Sequence, residues 1–375
     1  MSHLPSRPTF LEINLLRLKQ NLENIKGYVK PAKVMAILKA NAYGHGVDGV
    51  APYLAPFADY IGVALVEEGI HLRKLGIHKP ILILGGSLPY QVPLFLENDL
   101  TLAASTPELL ETADDLSHLS GTKLKVHLKI DTGMERIGVH DYEAYPFLEK
   151  SLSCSHLEIE GIFTHFANSE LPDLNHAKLQ LERFEEVLNF YEKRSIPHPS
   201  IRHMANSGAI LQFPESHYDM VRPGVLLYGV YPGREIKRTI EVKTALTWHS
   251  KVAYSKITQP GRPVSYGSLW QSDRPTRVLT IPCGYADGYF RNMTNKAEVI
   301  VKGKKYPQVG RICMDQFMVN LGDDEAQAGD EVILMGEAEA GGRIAPEDLA
   351  DWASTNEYEV MTNISARVPR MFISE

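Results

Sequence analysis

The chain has 375 residues, of which 44% are hydrophobic and 23% charged, enough for a large core and more than one small domain. A formal net charge of -7 excludes a general attraction to nucleic acid or anionic lipid, but leaves room for a local anion site built from backbone N–H groups and single arginines. Cys154, Cys283 and Cys313 are odd in number and far apart, so no disulfide framework is expected. The start, MSHLPSRPTF, lacks the apolar core of a signal peptide, and no apolar run is long enough for a bilayer; a cytoplasmic protein is expected.

In chain order, TFLEIN at 9–14 alternates like a strand and precedes the first long helix; it is expected to join a second domain. Short aliphatic runs then recur at 33–39, 59–65, 80–85, 99–103, 123–130, 157–165, 199–204 and 219–222, with amphipathic stretches between them. Thr106 with Pro107 predicts the start of a helix over 107–117. Residues 176–194 carry apolar side chains at three- and four-residue intervals. About eight strand–helix units predict an α/β fold with a (β/α)8 barrel over residues 1–240. A doubly wound open sheet is the competing arrangement. Beyond residue 240 the runs TALTWHSKVAYSKI, RVLTIPCGYADGYF, AEVIVKGKKYPQVG, QFMVNLG and DEVILMG are strand-like, with Gly, Pro and Asn between them. Residues 241–375 therefore read as a mainly-β domain with one helix signal, near 346–355.

In a barrel, reactive side chains gather at the C-terminal ends of the strands. Lys39 in LKANAYGHG ends the first run, Arg136 follows the fifth, His165 ends the sixth, His203, Asn206 and Ser207 the seventh, and Arg222 the eighth. A desolvated lysine favours its neutral amine, a nucleophile able to form an imine; the plainer reading of Lys39 is a side chain that reaches solvent or pairs with a carboxylate. Asn206-Ser207-Gly208 opens an apparent helix, and Arg222-Pro223-Gly224-Val225 puts a glycine where backbone can approach an anion, at the two strands whose loops often hold phosphate. Either loop alone is better read as simple capping; the two together, at these two strands, favour a phosphate site. Phosphate together with an imine-forming lysine points to pyridoxal phosphate, and sugar-phosphate aldolases combine the same two features. No HExxH spacing occurs, and no catalytic metal is expected.

LKANAYGHG, KIDTGMERIG, HMANSG, VRPGVLLYG, PVSYG, PCGYADGY, VGRICMDQ and EYEVMTNISARVPR succeed one another from about residue 8 to the C-terminus. Together they resemble the alanine racemase family. The resemblance implies a (β/α)8 barrel carrying pyridoxal 5'-phosphate, then a β-rich domain. It implies that Lys39 binds the cofactor as an imine and that Lys39 and Tyr266 are the two catalytic bases. Tyr43, Asn206, Ser207, Gly224, Val225 and Tyr358 correspond to the phosphate surroundings. His165 corresponds to the histidine against the ring, Arg222 to the arginine facing the ring nitrogen, and His203 to its partner behind. Arg136 resembles the residue holding the substrate carboxylate, with Tyr285 and Met314 in the substrate pocket and Asp315 behind it. Lys129 resembles a lysine that some members carry carbamylated; a salt bridge is its plainer reading. Tyr266, Tyr285 and Met314 would come from the second subunit of a homodimer. Glu135 and Ser268 fall at variable places within their motifs. The implied activity is L-alanine to D-alanine, supplying bacterial peptidoglycan. A racemase of another small amino acid such as serine is the alternative. A decarboxylase on a similar barrel would need a carboxylate in place of Arg222, and a non-catalytic cofactor carrier would lack residues 241–375.

Overall fold

The computed structural model describes residues 6–374; the first five residues of MSHLPSRPTF and the last residue, 375, lie outside the described range. Two compact units emerge, one comprising Leu18–Ala42 and Val47–Val242, the other Tyr43–Gly46, Lys243–Glu375 and the described part of Met1–Arg17.

The first unit is a parallel barrel. Met220–Val221 lies beside Lys33–Ile37, followed around the sheet by Tyr60–Val63, Ile81–Ile83, Thr101–Ala104, Leu124–Asp131, Leu157–Phe163 and Ile201–His203. Two backbone bonds join its ends: Asp219 N–H donates to Arg202 C=O at 3.0 Å and Arg222 N–H to Ala205 C=O at 2.9 Å. That closure rules out the open doubly wound sheet. Most of the strands are short and apolar because a parallel sheet is covered on both faces, while Leu124–Asp131, Leu157–Phe163 and Ile201–His203 also carry the polar side chains His127, Lys129, Glu160 and His203. Val34, Ile61, Ile81, Leu82 and Leu102 are fully buried, and each stabilises the fold by about 1.5–3 kcal/mol relative to exposure. The predicted helix over 107–117 spans Pro107–Ser120, with the Thr106 hydroxyl accepting Leu109 N–H. The one over 176–194 spans Asn175–Lys193.

The second unit is built on a mostly antiparallel sheet. In spatial order its strands are Tyr254–Thr258, Thr276–Ile281, Phe317–Gly322, Lys304–Val309, Glu298–Val301, Glu331–Glu337, Leu246–Lys251, Phe10–Asn14 and Arg370–Ile373. Phe10–Asn14 runs antiparallel to Leu246–Lys251, with Leu11 opposite Trp248, and parallel to Arg370–Ile373. Its alternation buries Leu11 and Ile13. The helix near 346–355 is Pro346–Ala353. A second helix, Glu357–Thr362, corrects the expectation of a single one. It is six residues long, too short for a periodic signal, and starts where Asn356 Oδ1 accepts Glu359 N–H.

Candidate active site

The first barrel strand ends at Ile37, and Lys39 sits two residues beyond it. Past Lys39 the backbone enters a left-handed turn: Ala40, Asn41, Ala42 and Tyr43 have φ of 53°, 56°, 53° and 51°. Four consecutive non-glycine residues in that region cost about 1–2 kcal/mol each. Neighbours hold the turn in place. Ala40 N–H donates to Glu68 Oε1 at 2.6 Å, Ala42 N–H to Leu38 C=O at 3.0 Å, and Val47 N–H to Asn41 Oδ1 at 2.8 Å. Small residues at 40 and 42 reduce the clash between Cβ and the next carbonyl. The Lys39 amine, half-buried, makes no hydrogen bond or ion pair among the described residues. Burial first and Arg136 second pull it below the ordinary lysine range, while Glu68 opposes. Of the two plainer readings, pairing with a carboxylate finds no partner among the described residues, and the half-exposed side chain still reaches solvent.

Lys129 lies on the fifth barrel strand with 4% exposure, its ammonium 4.8 Å from the centre of the Phe163 ring. Among the described residues no carboxylate pairs with it, so the salt-bridge reading fails here too. Burial, then Arg222, bring it down to about 7. Arg136 comes next on a loop held by Asp131, whose carboxylate accepts four backbone N–H groups, from Gly133, Met134, Glu135 and Arg136. The Arg136 side chain is exposed and makes no hydrogen bond or ion pair among the described residues.

Arg222, at the end of the eighth strand, is 3% exposed and surrounded by neutral acceptors. It donates to His203 Nδ1 at 2.7 Å, to Thr164 C=O at 2.8 Å, to Met204 C=O at 3.0 Å and to His165 Nδ1 at 3.1 Å. Burial lowers it to about 9, so it remains charged at neutral pH. Burial and then the same guanidinium push His165 and His203 well below the ordinary histidine value, so both are neutral.

Asn206 caps the helix Ser207–Gln212, its Oδ1 accepting Ala209 N–H at 3.1 Å and the Ser169 hydroxyl at 2.6 Å. The side chain is thus used in holding the turn. Ser207 Oγ accepts the N–H groups of Gly224 at 2.9 Å and Leu226 at 3.3 Å, and its own proton has no acceptor among the described residues. Val225, next in line, is fully buried at the start of the turn Val225–Tyr228. A Cβ on Gly208 would meet the Ser169 and Glu170 backbone at 2.8 Å, so this junction requires glycine.

In the second unit the Tyr43 and Tyr358 rings lie 6.1 Å apart. Tyr266 stands 72% exposed between Ser265 at φ 67° and Gly267 at φ 73°, and Ser265 Oγ is anchored to Arg311 C=O at 2.6 Å. It lines a cleft with Ile257, Arg262, Ser265, Cys313 and Gln316. Tyr285 and Met314, both exposed, are brought together by Tyr285 N–H donating to Cys313 C=O and Ala286 N–H to Met314 C=O, each at 3.0 Å. Asp315 pairs with Arg367 at 2.7 Å. Among the described residues no His, Cys, Asp and Glu cluster could hold a metal.

Sequence reasoning missed Asp131, His127 and Glu160. Asp131 begins DTGMERIG, and an Asp before a turn that contains Gly signals such a carboxylate cap. His127 is two residues from Lys129 on one strand, hence on the same face. It lies between His203, 2.9 Å away, and Glu160, 3.2 Å away.

Lysine amines lowered by burial and by neighbouring guanidinium groups are a provision for moving protons, carried on a parallel barrel in a chain that also has a mainly-β unit. The alanine racemase N-terminal domain model matches residues 13–232 and its C-terminal counterpart residues 245–372. An alanine racemase of Carboxydothermus hydrogenoformans is 43% identical over 98% of this chain and 100% of its own. The crystal structure of alanine racemase from D-cycloserine-producing Streptomyces lavendulae superposes with a TM-score of 0.94 at 32% identity, covering 99% of this chain and 98% of that one. A Clostridium difficile 630 alanine racemase in complex with cycloserine gives 0.90 at 34%, covering 99% and 97%. The chain belongs to the alanine racemase family, and it is an isomerase.

Proposed function

We propose that this protein interconverts L-alanine and D-alanine with pyridoxal 5'-phosphate as cofactor. The observation that carries the reading is a buried, charged guanidinium, Arg222, with only neutral partners, in a chain whose whole length matches the family. The donor set fits the cofactor. Ser207 has a hydroxyl proton to give a phosphate beside the glycine at 224. Lys39 has an amine free to form an imine. Tyr43 and Tyr358 are assigned to the phosphate by family correspondence.

When bound, pyridoxal phosphate supplies an aldehyde for the substrate amine and a conjugated ring that accepts electron density from Cα. Arg136, without a partner among the described residues, binds the substrate carboxylate. Lys39, pulled toward its neutral form by burial and Arg136, takes or returns the proton on one face of Cα. Tyr266 of the partner subunit serves the other face, and its exposure here suits a residue displayed toward a second copy. Tyr285 and Met314 would bound the substrate methyl group, and Asp315 would steady that segment. Arg222 cannot accept a hydrogen bond, so facing the ring nitrogen it would disfavour protonation there and limit electron withdrawal, which would disfavour side reactions. His165, a neutral imidazole, would lie against the ring. Lys129 is assigned carbamylation, its amine being lowered to about 7 and without a carboxylate partner among the described residues. In this reading the enzyme is a cytoplasmic homodimer supplying D-alanine for peptidoglycan; no helix among the described residues is long and apolar enough to cross a membrane.

The test is a visible spectrum before and after borohydride, with polarimetry on L-alanine. An imine band fixed by borohydride onto the Lys39 peptide, with loss of optical rotation, is expected. A band without racemisation would move the substrate elsewhere. No band after adding pyridoxal phosphate would end the reading.

A further inference from the structure

Behind Arg222 the barrel interior holds a chain of polar side chains that the proposed reaction does not use. Arg222 donates to His203 Nδ1 at 2.7 Å. His203 Nε2 lies 2.9 Å from His127 Nδ1, and His127 Nε2 lies 3.2 Å from Glu160 Oε2. Tyr60 donates its hydroxyl to the same carboxylate oxygen at 2.9 Å. Both histidines are fully buried. A Cβ at Gly161 would approach His127 Nδ1 to 2.5 Å, so the imidazole has its place only because residue 161 is glycine.

We propose that His127 and Glu160 are positioning residues for Arg222: they fix His203 in the tautomer that turns a lone pair, not an N–H, toward the guanidinium. The proton positions come by elimination. Arginine only donates, so His203 Nδ1 must accept. A neutral His203 then carries its proton on Nε2. That proton needs an acceptor, and His127 Nδ1 is the one in reach. His127 therefore carries its own proton on Nε2, and Glu160, an acceptor only, receives it. Reversing any link sets two N–H groups, or two lone pairs, face to face in a dry interior. A charged His127 would do the same, with an N–H against that of His203. The carboxylate thus sets the direction of the whole row, and the row ends by holding a cation.

The catalytic consequence rests on the reading that Arg222 faces the cofactor ring, whereas the tautomers do not depend on it. The experiment is nitrogen-15 NMR of the full-length protein labelled at histidine, as purified and after removal of pyridoxal phosphate. It is read for wild type, Glu160→Gln, Glu160→Leu and Tyr60→Phe, beside alanine kinetics. In the wild type, His203 and His127 should each carry one proton, on Nε2. Glu160→Gln, whose amide oxygen still accepts, should keep both tautomers although the charge is gone. Glu160→Leu should mix them and lower kcat several-fold with KM for alanine little changed, because Arg136 is not part of the row. Tyr60→Phe, which spares the His127 link, should alter neither tautomers nor kinetics. A wild-type His203 protonated on Nδ1 overturns the proposal and needs no variant to fold. So does Glu160→Leu with wild-type tautomers. A protein with the expected tautomers that fails to racemise alanine would remove the racemase reading and leave the relay standing.

Discussion

The Asp131 carboxylate receives the backbone N–H of Arg136 at 3.1 Å through Oδ2, and through Oδ1 those of Gly133, Met134 and Glu135. One side chain thus fixes the backbone that carries the exposed guanidinium. Asp131→Ala should cost about 1–3 kcal/mol in urea unfolding, the range for losing charge-assisted bonds to buried donors. It should also raise KM for alanine more than it lowers kcat. Burial alone would push this carboxyl up, but the four N–H groups outweigh it and hold it below the ordinary aspartate value. Its contribution is therefore complete above the unfolded value near ~3.9 and is lost as pH falls through the lower folded value. Wild type and variant should converge in stability at strongly acid pH. A difference that persists there would rule the carboxylate out as the cause.

Lys39 is pulled below the ordinary lysine range by burial and then by Arg136, with Glu68 opposing. In protein stripped of pyridoxal phosphate, the rate of recombination with it should rise with pH through a midpoint below the free lysine value of about 10.4. Arg136→Gln should move that midpoint up and Glu68→Gln should move it down. Shifts of the opposite sign in stopped-flow absorbance would show that these neighbours do not set the amine.

Lys129, held at about 7 in the folded state, binds fewer protons there than in the unfolded chain between pH 7 and about 10.4. In carbon dioxide-free buffer, wild-type stability relative to Lys129→Met should therefore rise across that window and stay flat below it. In bicarbonate, the intact mass should increase by one carbon dioxide and the acid-side penalty should shrink. An unchanged mass would leave Lys129 a bare buried amine.

Gly44 has φ +79°, and a Cβ there would meet Met361 O at 2.1 Å. Its carbonyl accepts both Nε and Nη2 of Arg370 at 3.1 Å. Gly44→Ala should destabilise by roughly 3 kcal/mol or more, combining backbone strain with a contact that backbone cannot relieve. Thermal unfolding of the variant near the wild-type midpoint would refute this.

The strands of the barrel were readable because each is a short apolar run between amphipathic segments, and Thr106-Pro107 announces its helix by chemistry that acts locally. Lys39, Arg136, His165 and Arg222 were readable as polar residues at places where strands end. The left-handed turn at Ala40–Tyr43 was not, because alanine and tyrosine prefer right-handed backbone and the turn is imposed by Glu68 and the Asn41 side chain, partners that only the folded chain brings near. His127 and Glu160 stayed hidden for a related reason. A histidine and a glutamate on strands read as ordinary half-buried polar positions until strand pairing sets His127 against Gly161. Glu357–Thr362 offered too few residues for periodicity.

The strand Phe10–Asn14 has its two neighbours at Leu246–Lys251 and Arg370–Ile373. On the ribosome it emerges well before either partner, because most of the barrel unit is made between it and Leu246–Lys251. Until those partners are made it is an unpaired edge with Leu11 and Ile13 uncovered, while the barrel residues between can already collapse. The strand Phe10–Asn14 is thus a segment that nascent-chain chaperones must shield until both partners exist. A chain truncated before residue 370 would leave that edge permanently open and would precipitate rather than yield a smaller soluble enzyme.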